Sequence, residues 1–340
     1  MTSINTNTSV IMNALKTPSV SLSQVRFLLL VATVLTGAGL TACGGGDDAT
    51  ATTTAATTDT STTATSTAGV LCDYATSAFN GSASVNATAT ATWSCSSALR
   101  SLTANGLPDH DVGTFPNNDN PNPISAQSIA ASVTVTPVAT AVVTPRVGAR
   151  DKPGVALNGI TFDPGTAGTC SDAGNCQQGG QPLGAWSLEA LGQTFFKWGT
   201  DSSNAHVQPN GMYHYHGVPE GLLTKLSKGN KAMTLIGWAA DGFPIYARYG
   251  YTVASDASSA VKTVTSSYRT KATPDVNRPA NTSTYAMGTF TQDYEYVAGL
   301  GDLDECNGRT GVTPEFPKGI YHYYATDTFP HLQRCVKGKL

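Results

Sequence analysis

Seven cysteines punctuate the 340-residue chain, and the place of the first decides how the other six are read. Cys43 follows an apolar run, residues 27–40 (FLLLVATVLTGAGL), through the small residues Thr41 and Ala42, and Gly44, Gly45 and Gly46 come directly after it. A run of this length is too short to span a bilayer, and with Lys16 and Arg26 ahead of it, it reads as the core of a signal peptide. Export puts the remaining cysteines, Cys72, Cys95, Cys170, Cys176, Cys306 and Cys335, in an oxidising compartment, so three disulfides are expected. Six thiols allow 15 pairings. The simplest is local, Cys72–Cys95, Cys170–Cys176 and Cys306–Cys335, because short loops close with the least entropy loss. No C-x-x-C pair supports a thiolate metal site instead.

The Leu40-Thr41-Ala42-Cys43 string resembles the bacterial lipobox. Residues 1–42 are therefore expected to be removed, with Cys43 carrying the lipid as the new first residue; Met12 is an alternative start. The mature chain keeps 18 basic against 23 acidic residues, a net charge of −5. Asp47 and Asp48 bear on sorting between the inner and outer bacterial membranes, and either is compatible with this address, on the periplasmic side or the cell surface. From 47 to 68 the chain contains only Ala, Thr, Ser and Asp. Such a stretch has no large apolar side chain to offset the entropy of ordering, so residues 43–68 read as a lipidated tether, its coil reaching about 25 Å. The membrane, through the anchor, is the expected partner. A nucleic acid is not, since only 13% of residues are charged and no basic run occurs.

Beyond residue 68 the pattern favours short strands. Val133, Thr134, Val135 and Thr136 alternate, Val142 and Val143 follow, and further candidates lie at 155–162, 211–216, 233–239, 245–249, 284–290 and 319–324. Trp186, Leu188, Leu191 and Phe195 can share one face of a short helix over 186–196. Gly or Pro stands at nearly every junction, and no repeat of fixed period appears. The fold expected is mainly β, an antiparallel β-sandwich-like domain with irregular loops, one or two short helices and disulfides. Residues 69–122 read as a small disulfide-bearing N-terminal lobe and 123–340 as the main β domain, with Pro121-Asn122-Pro123 as the seam.

Three of the six histidines fall within eleven residues: His206, His214 and His216. In Gly211-Met212-Tyr213-His214-Tyr215-His216-Gly217, the period of a strand puts both imidazoles on one face and both phenols on the other. Two such imidazoles, about 7 Å apart at Cα, can share an ion, and His206 can supply a third ligand. Imidazole with at most one carboxylate suits copper or zinc better than calcium. The opposing reading is a half-buried strand whose polar tips are hydrogen-bonded. A second cluster, Asp302, Asp304 and Glu305 beside Cys306, can complete a metal site or cap its own turn, and the turn is favoured because no EF-hand pattern fits. Asp241, before Gly242, is a further candidate carboxylate with a turn role as its alternative. His110 and His331, without clustered partners, read as structural or surface residues. Tyr321-His322-Tyr323-Tyr324 echoes the first string with one imidazole fewer.

The strings MYHYHGVP (212–219), DGFPIY (241–246), LDECNG (303–308) and YHYYATDTFPHLQRC (321–335) together resemble the YHYH-domain family, over roughly 155–338. The resemblance implies an exported bacterial domain and brings no settled activity. Tyr324 stands where a repeat of the first string needs His, which argues against a symmetric two-motif metal site. No G-x-S-x-G, H-E-x-x-H, Walker or G-x-G-x-x-G signature occurs. Three functions stay open: a copper- or zinc-binding module centred on His214 and His216; a metal-dependent enzyme in which Asp241 or Glu305 moves protons; and a glycan- or protein-binding surface built on Trp198, Tyr213, Tyr215 and Trp238. The first is preferred.

Overall fold

Alternation along Ala87–Cys95 turns Ala89, Ala91 and Trp93 inward and leaves Thr88, Thr92 and Ser94 outside, the pattern of a sheet with one wet face. In the computed structural model, which describes residues 64–146, 152–179, 182–226, 228, 231–280 and 284–340, this strand is β2. It pairs with β1 (Ala75–Asn80) and β3 (Leu99–Ala104), and β4 (Ile129–Thr134) completes an antiparallel sheet of four. Because β3 and β4 lie on either side of Pro121-Asn122-Pro123, the chain before and after that stretch shares one sheet and one core. The expected signal peptide, Cys43 and the expected tether as far as residue 63 lie outside the described residues. Residues 64–68 are described, and there the expectation of a free tether fails at its end. Thr67 is buried, its N–H reaching the Val135 carbonyl (2.7 Å) while its own carbonyl accepts from Arg100 Nη2 (2.8 Å).

After β5 (Ala139–Pro145) come β6 (Gly154–Ala156) and β7 (Thr161–Phe162), which open the second sheet. The single strand expected over 155–162 is thus a hairpin, turned at Asn158-Gly159, where Gly159 takes φ +83° and lies so close to Ala104 that a Cβ would clash. Around the Cys170–Cys176 bridge, β8 (Gly168–Cys170), β9 (Cys176–Gln178) and β10 (Trp186–Ser187) form a small antiparallel sheet. The helix expected over 186–196 is therefore absent. Trp186 and Leu188 alternate instead of winding, packing with Phe290 and Trp198 in a separate apolar cluster, and Gly192 takes φ +75° where a helix would continue. The one α-helix among the described residues is α1 (Glu220–Leu226), begun after Pro219 with an acid in its first turn and Lys225 in its last.

The remaining strands are β11 (Ala205–Val207), β12 (Tyr213–Tyr215), β13 (Thr234–Ala239), β14 (Pro244–Ala247), β15 (Tyr249–Tyr251), β16 (Val261–Thr263), β17 (Tyr268–Thr270), β18 (Tyr294–Tyr296), β19 (Gly308–Gly311), β20 (Ile320–Ala325) and β21 (Cys335–Gly338). The central sheet has eight strands in the order β11-β12-β7-β6-β13-β14-β20-β19. It is mixed, because β12 runs parallel to β7 and β14 parallel to β20. Every residue of β13, β14 and β20 is buried, as expected of strands covered on both faces. The strand expected over 284–290 does not form; only Phe290 makes a bridge, to Leu188. Two-stranded ribbons (β15–β16, β17–β18 and β5–β21) finish a mainly β fold with several antiparallel sheets. All three local cysteine pairs are bonded. The four-stranded sheet lays its inner face on the central one: Trp93 Nε1 donates to the Leu157 carbonyl (2.8 Å), and the Arg100 guanidinium lies 3.6 Å from the Trp238 ring centroid.

Candidate metal centre

A short antiparallel pair builds the site. β11 and β12 set His206 directly opposite His214, and His216 follows two residues on, so all three side chains leave the same face. One nitrogen from each ring lies within 4.8 Å of the others. The His206 and His216 Nε2 atoms are 3.1 Å apart. Tetrahedral zinc with bonds of about 2.0–2.1 Å holds its nitrogens about 3.3 Å from one another, so the donor spacing fits a transition ion.

Carbonyls orient two of the rings. His206 Nδ1–H donates to the Trp198 carbonyl (2.8 Å) and His214 Nδ1–H to that of Met212 (3.1 Å), which leaves the Nε2 lone pairs turned inward, the arrangement that prepares imidazole for a metal. His216 Nδ1 is buried with no partner. Burial lowers the pKa of His206, and it drives His214 and His216 well below the usual imidazole value, helped by His206. All three rings are thus neutral near pH 7, the form that ligates.

The triad forms one wall of a cavity of about 330 Å³, shared with Trp198, Lys152, Asp163 and Gln208. Lys152 and Asp163 are ion-paired, and Gln208 Nε2 donates to Asp163 Oδ2 (3.0 Å). Asp163 is thus a carboxylate beside the triad, with Asp119 also on the cavity wall, and the charges of Asp163 and Asp201 work on His206 against the effect of burial. Sequence reasoning missed Asp163. The one available signal was the Asn158-Gly159 turn, which folds β7 back and delivers Asp163 to the side of β12.

The four carboxylates expected from the sequence are engaged elsewhere and do not line this cavity. Asp241 is buried, accepts from Tyr323 OH (2.5 Å) and the Gly338 N–H (2.8 Å), and has its pKa raised by burial. Asp302 binds Lys262 and Thr265. Asp304 Oδ1 caps the N–H groups of Cys306 and Gly308 at 3.0 Å, the self-capped turn, and Lys337 bridges Asp304 and Glu305. His110 and His331 are buried; His110 Nε2 lies 2.6 Å from Tyr215 OH. Tyr213, Tyr215 and Trp238 are fully buried and offer no face to a glycan, while Trp198, also buried, lines the cavity.

A family model described as YHYH protein matches residues 130–338, well over half of the chain. The comparison with curated proteins and that with solved structures returned no match. By this match the chain belongs to the YHYH protein family.

Proposed function

We propose that this chain is an exported, lipid-anchored bacterial protein whose domain holds one transition-metal ion, copper or zinc, on His206, His214 and His216. The observation that carries the reading is the convergence of three buried, neutral imidazoles with their donor nitrogens inside 4.8 Å. His206 and His214 donate through Nδ1 to backbone carbonyls, so their Nε2 lone pairs turn inward, and the His206 and His216 Nε2 atoms approach to 3.1 Å. An ion satisfies the inward lone pairs together.

The cavity supports a second function for the same centre. Three protein ligands opening onto about 330 Å³ leave a coordination position for water or a substrate, as in catalytic rather than structural sites. In a metal-dependent enzyme of this build, Asp163 replaces Asp241 and Glu305 as the carboxylate able to hold or move a proton.

Elemental analysis of untagged protein exposed to copper and to zinc tests the reading. One ion per chain is expected, and none in the His214→Ala, His216→Ala double variant. Full metal content in that variant, or no metal in the wild type, overturns it.

A further inference from the structure

The central sheet is two copies of one four-stranded unit. Read outward from the middle, β6-β7-β12-β11 and β13-β14-β20-β19 repeat the same order of antiparallel, parallel and antiparallel pairings. Their registers match residue by residue. Tyr215 pairs with Phe162 and Phe162 with Gly154; in the other half Tyr323 pairs with Ile245 and Ile245 with Gly237. At the junction Gly154 pairs with Ala239 and Gly237 with Ala156, so a twofold axis normal to the sheet passes between Val155 and Trp238.

Details far from that axis obey it. The turns Asn158-Gly159 and Asp241-Gly242 have glycine φ values of +83° and +87°. Asn158 Oδ1 accepts from the Ile160 N–H and Asp241 Oδ1 from the Phe243 N–H, both at 3.3 Å. The other side-chain atom of each reaches the equivalent tyrosine hydroxyl, Tyr215 at 3.0 Å and Tyr323 at 2.5 Å. His214 Nδ1 binds the Met212 carbonyl and His322 Nδ1 that of Ile320.

The same registers assign an equivalent to each member of the triad. His214 corresponds to His322, His216 to Tyr324, and His206, opposite His214, to Arg309, opposite His322. The three residues of the second half are joined as a cluster: Tyr324 OH lies 3.0 Å from His322 Nε2, and Arg309 Nη2 donates to Tyr324 OH (3.3 Å). We infer that Arg309, His322 and Tyr324 form a second, self-filled copy of the metal site, in which a guanidinium supplies the cation that an ion supplies in the first. The inference rests on the metal reading of His206, His214 and His216. It follows that the second backbone frame takes a transition ion once the two missing imidazoles are restored.

The test is the metal content of the Arg309→His, Tyr324→His variant after expression with zinc and removal of loose metal. The wild type is expected to hold one ion and the variant two, with one remaining when His214→Ala and His216→Ala are added. One ion in the folded double variant and one in the wild type overturns the inference alone. A wild type without metal overturns the reading of the first site, and this inference with it. Should the variant fail to fold, the reciprocal exchange, His206→Arg with His216→Tyr, decides. A folded, metal-free protein whose melting ignores chelator is expected, and failure to fold or retention of the ion overturns the equivalence.

Discussion

Buried imidazoles give this domain a pH dependence that belongs to single residues. Burial lowers the pKa of His322 to about 3, with Arg309 adding to it, and that of His331 to about 4, with Arg334 adding to it. A histidine with a depressed folded-state pKa binds its proton more readily in the unfolded chain. Stability is therefore complete above about pH 6.5 and is lost as pH falls toward the folded value. Each of these two residues contributes a loss of about 2 kcal/mol between pH 7.5 and pH 5. His206, His214 and His216 act in the same direction. Urea unfolding of the chelator-treated protein is expected to show a clearly lower midpoint at pH 5, and equal midpoints would contradict this. At this scale His214 and His216 were legible, because strand period puts alternate residues on one face whatever the fold. Asp163 was not, since the Asn158-Gly159 turn before it shows only that the chain folds back, and the parallel pairing with β12 joins segments more than fifty residues apart.

Elements show the same divide between local pattern and distant packing. The strands over 233–239 and 319–324 were readable as apolar and aromatic stretches bounded by turn residues, and they became β13 and β20. The stretch 186–196 carried a helical spacing of large side chains, yet pairing with Cys170 and burial against Phe290 drew it into an extended path. Helix α1 escaped notice because seven residues hold too little of a 3.6 period. The local disulfide pairing was readable from loop length alone. Cys306–Cys335 ties the turn before β19 to the start of β21 across 29 residues. Its removal in a Cys306→Ser, Cys335→Ser variant is expected to cost about 3 kcal/mol, seen as a lower thermal midpoint. An unchanged midpoint would mean that the bridge adds no constraint to the unfolded chain.

For the molecule as a whole, the proposed address rests on residues 27–43 and the architecture on pairings between distant segments. Cys43→Ser is expected to move the protein from the membrane fraction to the soluble one, with no change in metal content. Persistence in the membrane fraction would refute the anchor. The order of amino acids by itself determined the alternation of the strands, most of the turns, the three cysteine pairs and the shared face of two imidazoles. Each of these depends on neighbours within a few residues or on the ease of closing a short loop. Tertiary structure alone decided which carboxylate joins the histidines, which aromatic rings are sealed from solvent, and that two halves of one sheet share a register. The equivalent turns and the equivalent histidine-bearing strands are separated by unequal lengths of chain, so no period appears in the sequence. Only hydrogen bonding across the sheet, which ignores loop length, brings the two copies into correspondence.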